Sequence, residues 1–206
     1  MKNVIILGAS GHAKVIAEVI NKSGDNVVGF LDDDLSLKGK IVYLDKKVLG
    51  TIDDINKYKD NYFIIGIGNN KIRKEISSKY NDLKWYIAIH PSAIVAENVE
   101  IKEGTVIMPG VVINPGTVIG KHCIINTSSS IDHDNKIGDY VHISPGTHLA
   151  GRVTVGKSTW ICIGVSVINN ITIGCNDIIG AGAVVIKDIL EDNKVYVGVP
   201  AHIKKK

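Results

Sequence analysis

The sequence predicts a chain in two parts: a small α/β domain with a parallel sheet over residues 1–86, then a parallel β-helix of short strands over residues 87–206. Three observations predict it. An aliphatic residue recurs every six positions through the second part. The first part alternates short apolar strands with helical patterns. Aromatic residues make up only 5% of the chain beside 45% hydrophobic residues, so the core is built mainly of Ile, Val and small side chains, which suit stacked β structure.

The repeat comes first. Stepping by six from Ile89 reaches Val95, Ile101, Ile107, Ile113, Ile119, Ile125, Ile131, Ile137, Ile143, Leu149, Val155, Ile161, Val167, Ile173, Ile179 and Val185, and all seventeen positions are aliphatic. At ordinary composition, chance produces such a run on the order of once in a hundred million trials. A helix needs a period near 3.6, so a period of six describes a solenoid of short strands. The slot two before each aliphatic tends to be small or β-branched, as at Thr105, Thr117, Cys123, Ser129, Thr147 and Thr159, and glycine often follows the aliphatic, as at Gly120, Gly138, Gly156, Gly174 and Gly180. Three hexads make a triangular coil of 18 residues, so residues 18 apart stack at one strand spacing, about 4.8 Å.

Residues 1–86 follow a different rule. Asn3–Leu7 is a short apolar strand, Gly8-Ala-Ser-Gly-His12 a tight loop, and 12–22 a helix with Val15, Ile16, Val19 and Ile20 as its stripe. Val27–Leu31 is a second strand ending in Asp32-Asp33-Asp34. Residues 62–67 form a third, ending at Gly68-Asn69-Asn70, and 71–79 a second helix.

Composition excludes several functions. The balance of 24 Lys+Arg against 21 Asp+Glu is nearly neutral, and part of the basic charge sits in the terminal 201–206 segment, so no general nucleic-acid surface is expected. Cys123, Cys162 and Cys175 show no Cys-x-x-Cys spacing, and the first strand runs straight into a glycine loop. The expectation is a reduced, cytoplasmic protein with no membrane segment.

Candidate chemistry lies in both parts. A glycine loop between strand and helix lets backbone N–H groups approach a phosphate. The Gly-x-x-Gly spacing serves equally as a tight turn without ligand. Asp32 and Asp33 stand where a carboxylate reaches a ribose or base, and they also suit a polar turn. Together with Gly68 they mark the carboxyl ends of parallel strands, where such sheets bind nucleotides or nucleotide sugars. In the β-helix, the 18-residue rule puts His133 beneath Gly151, an imidazole beside a backbone amide, as acyl transfer requires. Asp132 and Asp134 flank it, and three polar residues at a turn are also ordinary solvent-facing sequence. The same rule stacks Pro145, Ile163 and Ala181 beside Gly180, a column of small apolar residues wide enough for a thin flexible chain or for plain coil packing. His142 and His148 fall on different faces and cannot easily share a metal within one chain; a metal bridging two chains is the alternative, and no metal is expected. His90 and His202 read as surface residues, and the role of His122 is open.

The segments Gly8-Ala-Ser-Gly-His12, Leu31-Asp-Asp33, Ile67-Gly-Asn-Asn-Lys-Ile-Arg-Lys74, Ile125-Asn-Thr-Ser-Ser129, Ile131-Asp-His-Asp134, Val141-His-Ile-Ser144, Ala150-Gly151 and Val197-Gly-Val-Pro-Ala201 together resemble one bacterial group. It is the nucleotide-sugar acetyltransferases that join a Rossmann-like domain to a left-handed hexapeptide-repeat β-helix, especially the UDP-4-amino-sugar N-acetyltransferases of bacillosamine synthesis and the related sialic acid O-acetyltransferases. The resemblance implies acetyl-CoA-dependent transfer to the amine of a UDP-4-amino-4,6-dideoxy sugar. His133 is then the general base, Asp134 its partner and Gly151 the oxyanion donor. Acetyl-CoA lies against His142, Ile163, Gly180 and Ala181, and the nucleotide sugar against Ser10, Gly11, His12, Asp32, Asp33 and Gly68. It also implies a homotrimer with each site between neighbouring β-helices. Three positions depart from the pattern: Asp134 where Glu is familiar, Ala13 where the loop often has Gly, and Cys162 near the CoA groove. O-acetylation of a sialic-acid-like sugar, N-acetylation of GDP-perosamine and a silent nucleotide-sugar-binding trimer are the competing readings.

Overall fold

The computed structural model describes residues 1–204. The first part is a sheet of five strands, β1 (Asn3–Leu7), β2 (Asn26–Leu31), β3 (Ile41–Tyr43), β4 (Lys46–Gly50) and β5 (Tyr62–Ile65), in the order β3-β4-β2-β1-β5. β1 runs parallel to β2 and β5, and β2 parallel to β4; β3 and β4 form an antiparallel hairpin at the edge. That hairpin is not among the sequence expectations. Its strands are three and five residues long, β3 is nowhere fully buried and β4 opens on two lysines, so no sustained apolar pattern marks them.

The first helix, α1 (Gly11–Lys22), buries Ala13, Ile16, Ala17, Val19 and Ile20. Val15, expected in the stripe, is exposed instead, because the i, i+3, i+4, i+7 row that meets the sheet is 13, 16, 17 and 20. β5 stops at Ile65, two residues earlier than expected. There Gly66 packs so closely on α1 that an added Cβ would lie 2.8 Å from the Ala13 Cβ. The second helix, α2 (Asn70–Lys79), is capped by the Asn69 side chain, which accepts from Ile72 N–H at 3.1 Å.

From Ala88 onward the chain winds into coils with three flat faces. The first face stacks Ala88–Ile89, Val106–Ile107, Ile124–Ile125, His142–Ile143, Trp160–Ile161 and Ile178–Ile179. The second stacks the pairs from Ile94–Val95 to Val184–Val185, and the third those from Glu100–Ile101 to Thr172–Ile173. Every rung is parallel and 18 residues from the next, as in Ile113↔Ile131 and Ile131↔Leu149. From Ile107 to Val185 the six-step aliphatics are all buried, whereas Ile89, Val95 and Ile101 at the open end of the solenoid are partly exposed.

Buried threonines tie the coils together. Thr159 Oγ1 donates to Gly174 O at 2.7 Å and accepts from Asp177 N–H at 3.1 Å, and Thr105 and Thr117 repeat this pattern. β-branching suits the strand end, and the hydroxyl satisfies two backbone groups that the turn leaves out of the ladder.

The first domain sits on the first face. One continuous core joins Ile6, Ile16, Ala17 and Ile20 with Tyr86, Ala88, Val106 and Ile124. Val106 and Ile124 point outward from the β-helix and are nevertheless 1% exposed, because the first domain covers them. The next members of that outward column, His142, Trp160 and Ile178, emerge from under the domain into a cleft.

Candidate functional site

The corner between the second and third faces carries the His133 group. Its Nδ1 meets Asp134 Oδ2 at 2.8 Å, and the side chains are 49% and 55% exposed. Asp132 Oδ1 accepts from His133 N–H at 2.8 Å and from Asn114 Nδ2 at 2.8 Å, so one acid fixes the backbone and the other orients the ring. With the ring proton on Nδ1, the lone pair of Nε2 faces the next coil. An added Cβ at Gly151 would lie 2.6 Å from that Nε2, so only glycine admits the imidazole at this closeness. Arg152 Nε stands 3.9 Å from Asp134 Oδ2.

The Gly151 amide has a special position. Its neighbours are engaged in the ladder, Ala150 N–H donating to Val167 O at 3.0 Å and Arg152 N–H to His133 O at 2.9 Å, and the amide between them makes no ladder bond. The first amide of each corner is left over in this way. At several corners a side chain takes it: Asp132 takes that of His133, Asn126 that of Thr127, and Asp139 that of Lys121. At others, such as Lys157, Ile163 and Asn169, it has no acceptor, and what sets Gly151 apart is the His133 ring beside it. Before Gly151 stands Ala150, which has no acceptor. The structure thus presents an available N–H beside a ring nitrogen, the pairing that acyl transfer uses.

Two clefts flank α2. The smaller, about 330 Å³, opens at the carboxyl ends of β1 and β2 and is lined by Gly8, Asp32, Asp33, Ile67, Ile72 and Ile76 among others. Asp32 Oδ2 accepts from Ala9 N–H at 2.7 Å and its Oδ1 from Asp34 N–H at 2.9 Å. Asp33 Oδ1 accepts from Ile52 N–H at 2.9 Å. Asp32 therefore ties the glycine loop to the end of β2, and Asp33 anchors the start of the segment at Ile52, tasks that the sequence reading did not give them. Ser10 and Gly11 lie exposed at the N-terminus of α1, where backbone N–H groups face outward.

The larger cleft, about 630 Å³, lies between the start of α2 and the first face, with Gly68, Asn70, Lys71, Lys74, His142, Trp160 and Asp177 in its wall. Here the structure brings together residues that the sequence reading assigned separately. The rings of His12 and His142 are 6.5 Å apart, and His142 stacks on Trp160 at 5.9 Å. Asn126 Nδ2 donates to His142 Nε2 at 3.2 Å, which puts the ring proton of His142 on Nδ1. His12 Nε2 is buried without a partner. Burial, reinforced by the nearby Arg73 charge, lowers His12 to about 4 and His142 to about 3. Both are neutral imidazoles at pH 7.

Ile163 and Ala181 lie elsewhere, exposed at the corner between the first and second faces and stacked one coil apart. Gly180 turns toward the C-terminal strand, with its N–H on Tyr196 O at 2.7 Å and an added Cβ 2.8 Å from Val197. The structure does not gather these three with His142 inside one chain. Asn126, Asn70, Arg73, Trp160 and Asp177 are absent from the sequence candidates. The outward column 106–124–142–160–178 was open to the same 18-residue rule and locates three of the larger cleft's wall residues. Among the described residues no group of three or more His, Cys, Asp or Glu is placed to hold a metal.

Known proteins share this arrangement. Residues 3–80 match the PglD N-terminal domain, and 98–133 match the bacterial transferase hexapeptide (six repeats). The chain is 41% identical over 110 residues to UDP-N-acetylbacillosamine N-acetyltransferase of Bacillus subtilis, an alignment covering 52% of this chain and 51% of that enzyme. It is 31% identical over 165 residues to GDP-perosamine N-acetyltransferase of Escherichia coli O157:H7, covering 76% and 73%. Among solved structures, PerB from Caulobacter crescentus in complex with CoA and GDP-perosamine superposes with a TM-score of 0.91 at 36% identity, over 100% of this chain and 98% of that one. The chain spans 24% and 51% of the length of two of the curated relatives that it matches.

Proposed function

The chain belongs to the nucleotide-sugar N-acetyltransferases that set a PglD N-terminal domain on a hexapeptide-repeat β-helix, and from that premise we propose that it moves the acetyl group of acetyl-CoA to the amine of a nucleotide-linked 4-amino sugar. The observation that carries the proposal is the uncommitted Gly151 amide beside His133 Nε2.

Acetyl-CoA supplies a thioester, whose carbonyl carbon the sugar nitrogen attacks. His133 Nε2 takes the proton that the nitrogen sheds and returns it to the departing CoA sulfur, so protons balance and no acyl-enzyme forms. Asp134 keeps the opposite ring nitrogen protonated and stabilises the imidazolium, and Gly151 N–H meets the developing oxyanion. His142, neutral and oriented by Asn126, serves as a hydrogen-bonding group. The larger cleft suits CoA: Lys71 and Lys74 at the rim favour phosphates, and Trp160 and Ile178 offer apolar wall. The Ile163–Ala181 column, with Gly180 behind it, extends that path along the edge of the first face.

The site spans two copies of the chain. The first domain covers the first face, whereas His133 stands at the opposite corner of the triangle, so the nucleotide cleft of one chain does not face its own base. A homotrimer, with the corner of one β-helix set against the first face of the next, brings them together. Three unpaired cysteines fit a reducing compartment, which we take to be the cytoplasm, and no helix among the described residues is long and apolar enough to cross a membrane. The test is incubation with acetyl-CoA and a panel of UDP- and GDP-linked 4-amino sugars while thiol release is followed. Turnover of at least one amino sugar, with none for its hydroxyl counterpart, is expected. Release with the hydroxyl sugar alone overturns N-acetylation.

A further inference from the structure

Helix α2 is the wall between the two clefts: Ile72, Ile76 and Lys79 face the nucleotide cleft, and Lys71 and Lys74 the larger one. Its remaining side carries Arg73, 1% exposed. The guanidinium donates from Nε to His122 O at 3.0 Å and from Nη2 to Tyr140 O at 2.9 Å, both on the β-helix. On the first domain it reaches Gly68 O at 2.9 Å and Ile67 O at 3.3 Å from Nη1, and Asn70 Oδ1 at 2.9 Å from Nη2. All five acceptors are neutral. Asn70 adds bonds from Nδ2 to Ser158 O at 2.9 Å and Thr159 O at 3.3 Å.

A buried cation without a carboxylate partner is a poor means of joining two domains, because an apolar side chain of similar volume often packs as well or better. What the fork achieves is direction: it fixes Ile67, Gly68 and Asn70 of one loop to a defined corner of the β-helix. We infer that Arg73 is a positioning residue of the transfer site, holding the Ile67–Asn70 loop on the β-helix so that the nucleotide cleft, His12 and His142 share one rigid frame. The inference rests on the proposed acetyl transfer. Arg73 acts through its charge as well, since it adds to burial in keeping both imidazoles unprotonated. The other groups facing this junction are Lys71 and Lys74 from α2, Asp177 across the larger cleft, and His122, Cys123 and Tyr140 on the β-helix corner, with Glu103, Lys121 and Asp139 beside His122.

Two variants of the full chain separate geometry from charge: Arg73→Lys keeps the charge and loses the fork, and Arg73→Gln loses both. Both are expected to lower kcat at least about tenfold while KM for acetyl-CoA stays within about threefold, as befits lost alignment. Histidine ring NMR is expected to show His12 and His142 titrating higher in Arg73→Gln than in wild type, and near their wild-type positions in Arg73→Lys. A folded Arg73→Gln with wild-type kcat, or unshifted rings in that variant, overturns the inference. If neither variant folds, Asn70→Ala, which keeps the arginine but removes one of its acceptors and two bonds to the β-helix, is expected to lower kcat about fivefold, and an unchanged kcat overturns the inference. A wild-type protein that acetylates no amino sugar refutes the proposed function instead, and the ring titration still reads the effect of Arg73.

Discussion

His133 and Gly151 depend on one close approach. An alanine at 151 would place its Cβ 2.6 Å from His133 Nε2 and 2.7 Å from Cε1, with no change demanded of the backbone. The ring must then move, and a base displaced by an ångström loses most of its effect. Gly151→Ala is therefore expected to reduce kcat about 10²-fold, and His133→Ala by roughly 10² to 10⁴-fold, on a chain that still folds. The double variant should be no slower than His133→Ala alone, because both changes disable one device. Thiol-release rates for the three variants check this, and a Gly151→Ala protein as fast as wild type would mean that the ring works from another position. This pair was legible from the period of 18 alone. Arg73, Trp160 and Asn126 were not, because their roles depend on which face the first domain covers, and no hexad encodes that.

At the scale of elements, the coils owe their closure to side chains as well as to ladder bonds. Thr159 illustrates the principle: its side chain is buried while its hydroxyl serves Gly174 O and the N–H of buried Asp177. Valine keeps the shape and abandons both backbone groups, so Thr159→Val is expected to cost about 1 to 3 kcal/mol. Denaturant unfolding measures it, and a loss below about 0.5 kcal/mol would mean that water replaces the hydroxyl. The sequence displayed these rungs plainly, as a slot at every sixth residue that is small or β-branched except at Asn135 and Asp177. The β3–β4 hairpin stayed hidden. Ile41, Leu44 and Lys47 are all exposed, so no alternation of apolar and polar residues announces two strands there.

The whole molecule places three neutral imidazoles along the junction of its domains. Burial holds His12 and His122 at about 4 and His142 at about 3, all below the 6.5 of a free side chain. Between those values the unfolded chain binds protons that the folded chain refuses, so stability is complete above about pH 6.5 and falls as the pH drops toward 4. Unfolding near pH 5 should take up close to three protons, a slope of roughly 4 kcal/mol per pH unit. His122→Phe should remove about a third of that slope, measured by denaturation from pH 7 to 4.5, and a pH-independent stability would contradict the burial of all three.

The division of labour between chains is the central claim, and mixing tests it. Asp32→Ala frees Ala9 and Asp34 N–H groups and opens the nucleotide loop, whereas His133→Ala removes the base at the opposite corner. Each variant alone is expected to be nearly inactive. Coexpressed in equal amounts, they form mixed trimers in which an intact loop faces an intact base at about one junction in four, so about a quarter of wild-type thiol release should return. Recovery to that level is the result predicted. No recovery in trimers shown by mass to contain both chains would place loop and base in the same chain and contradict the account.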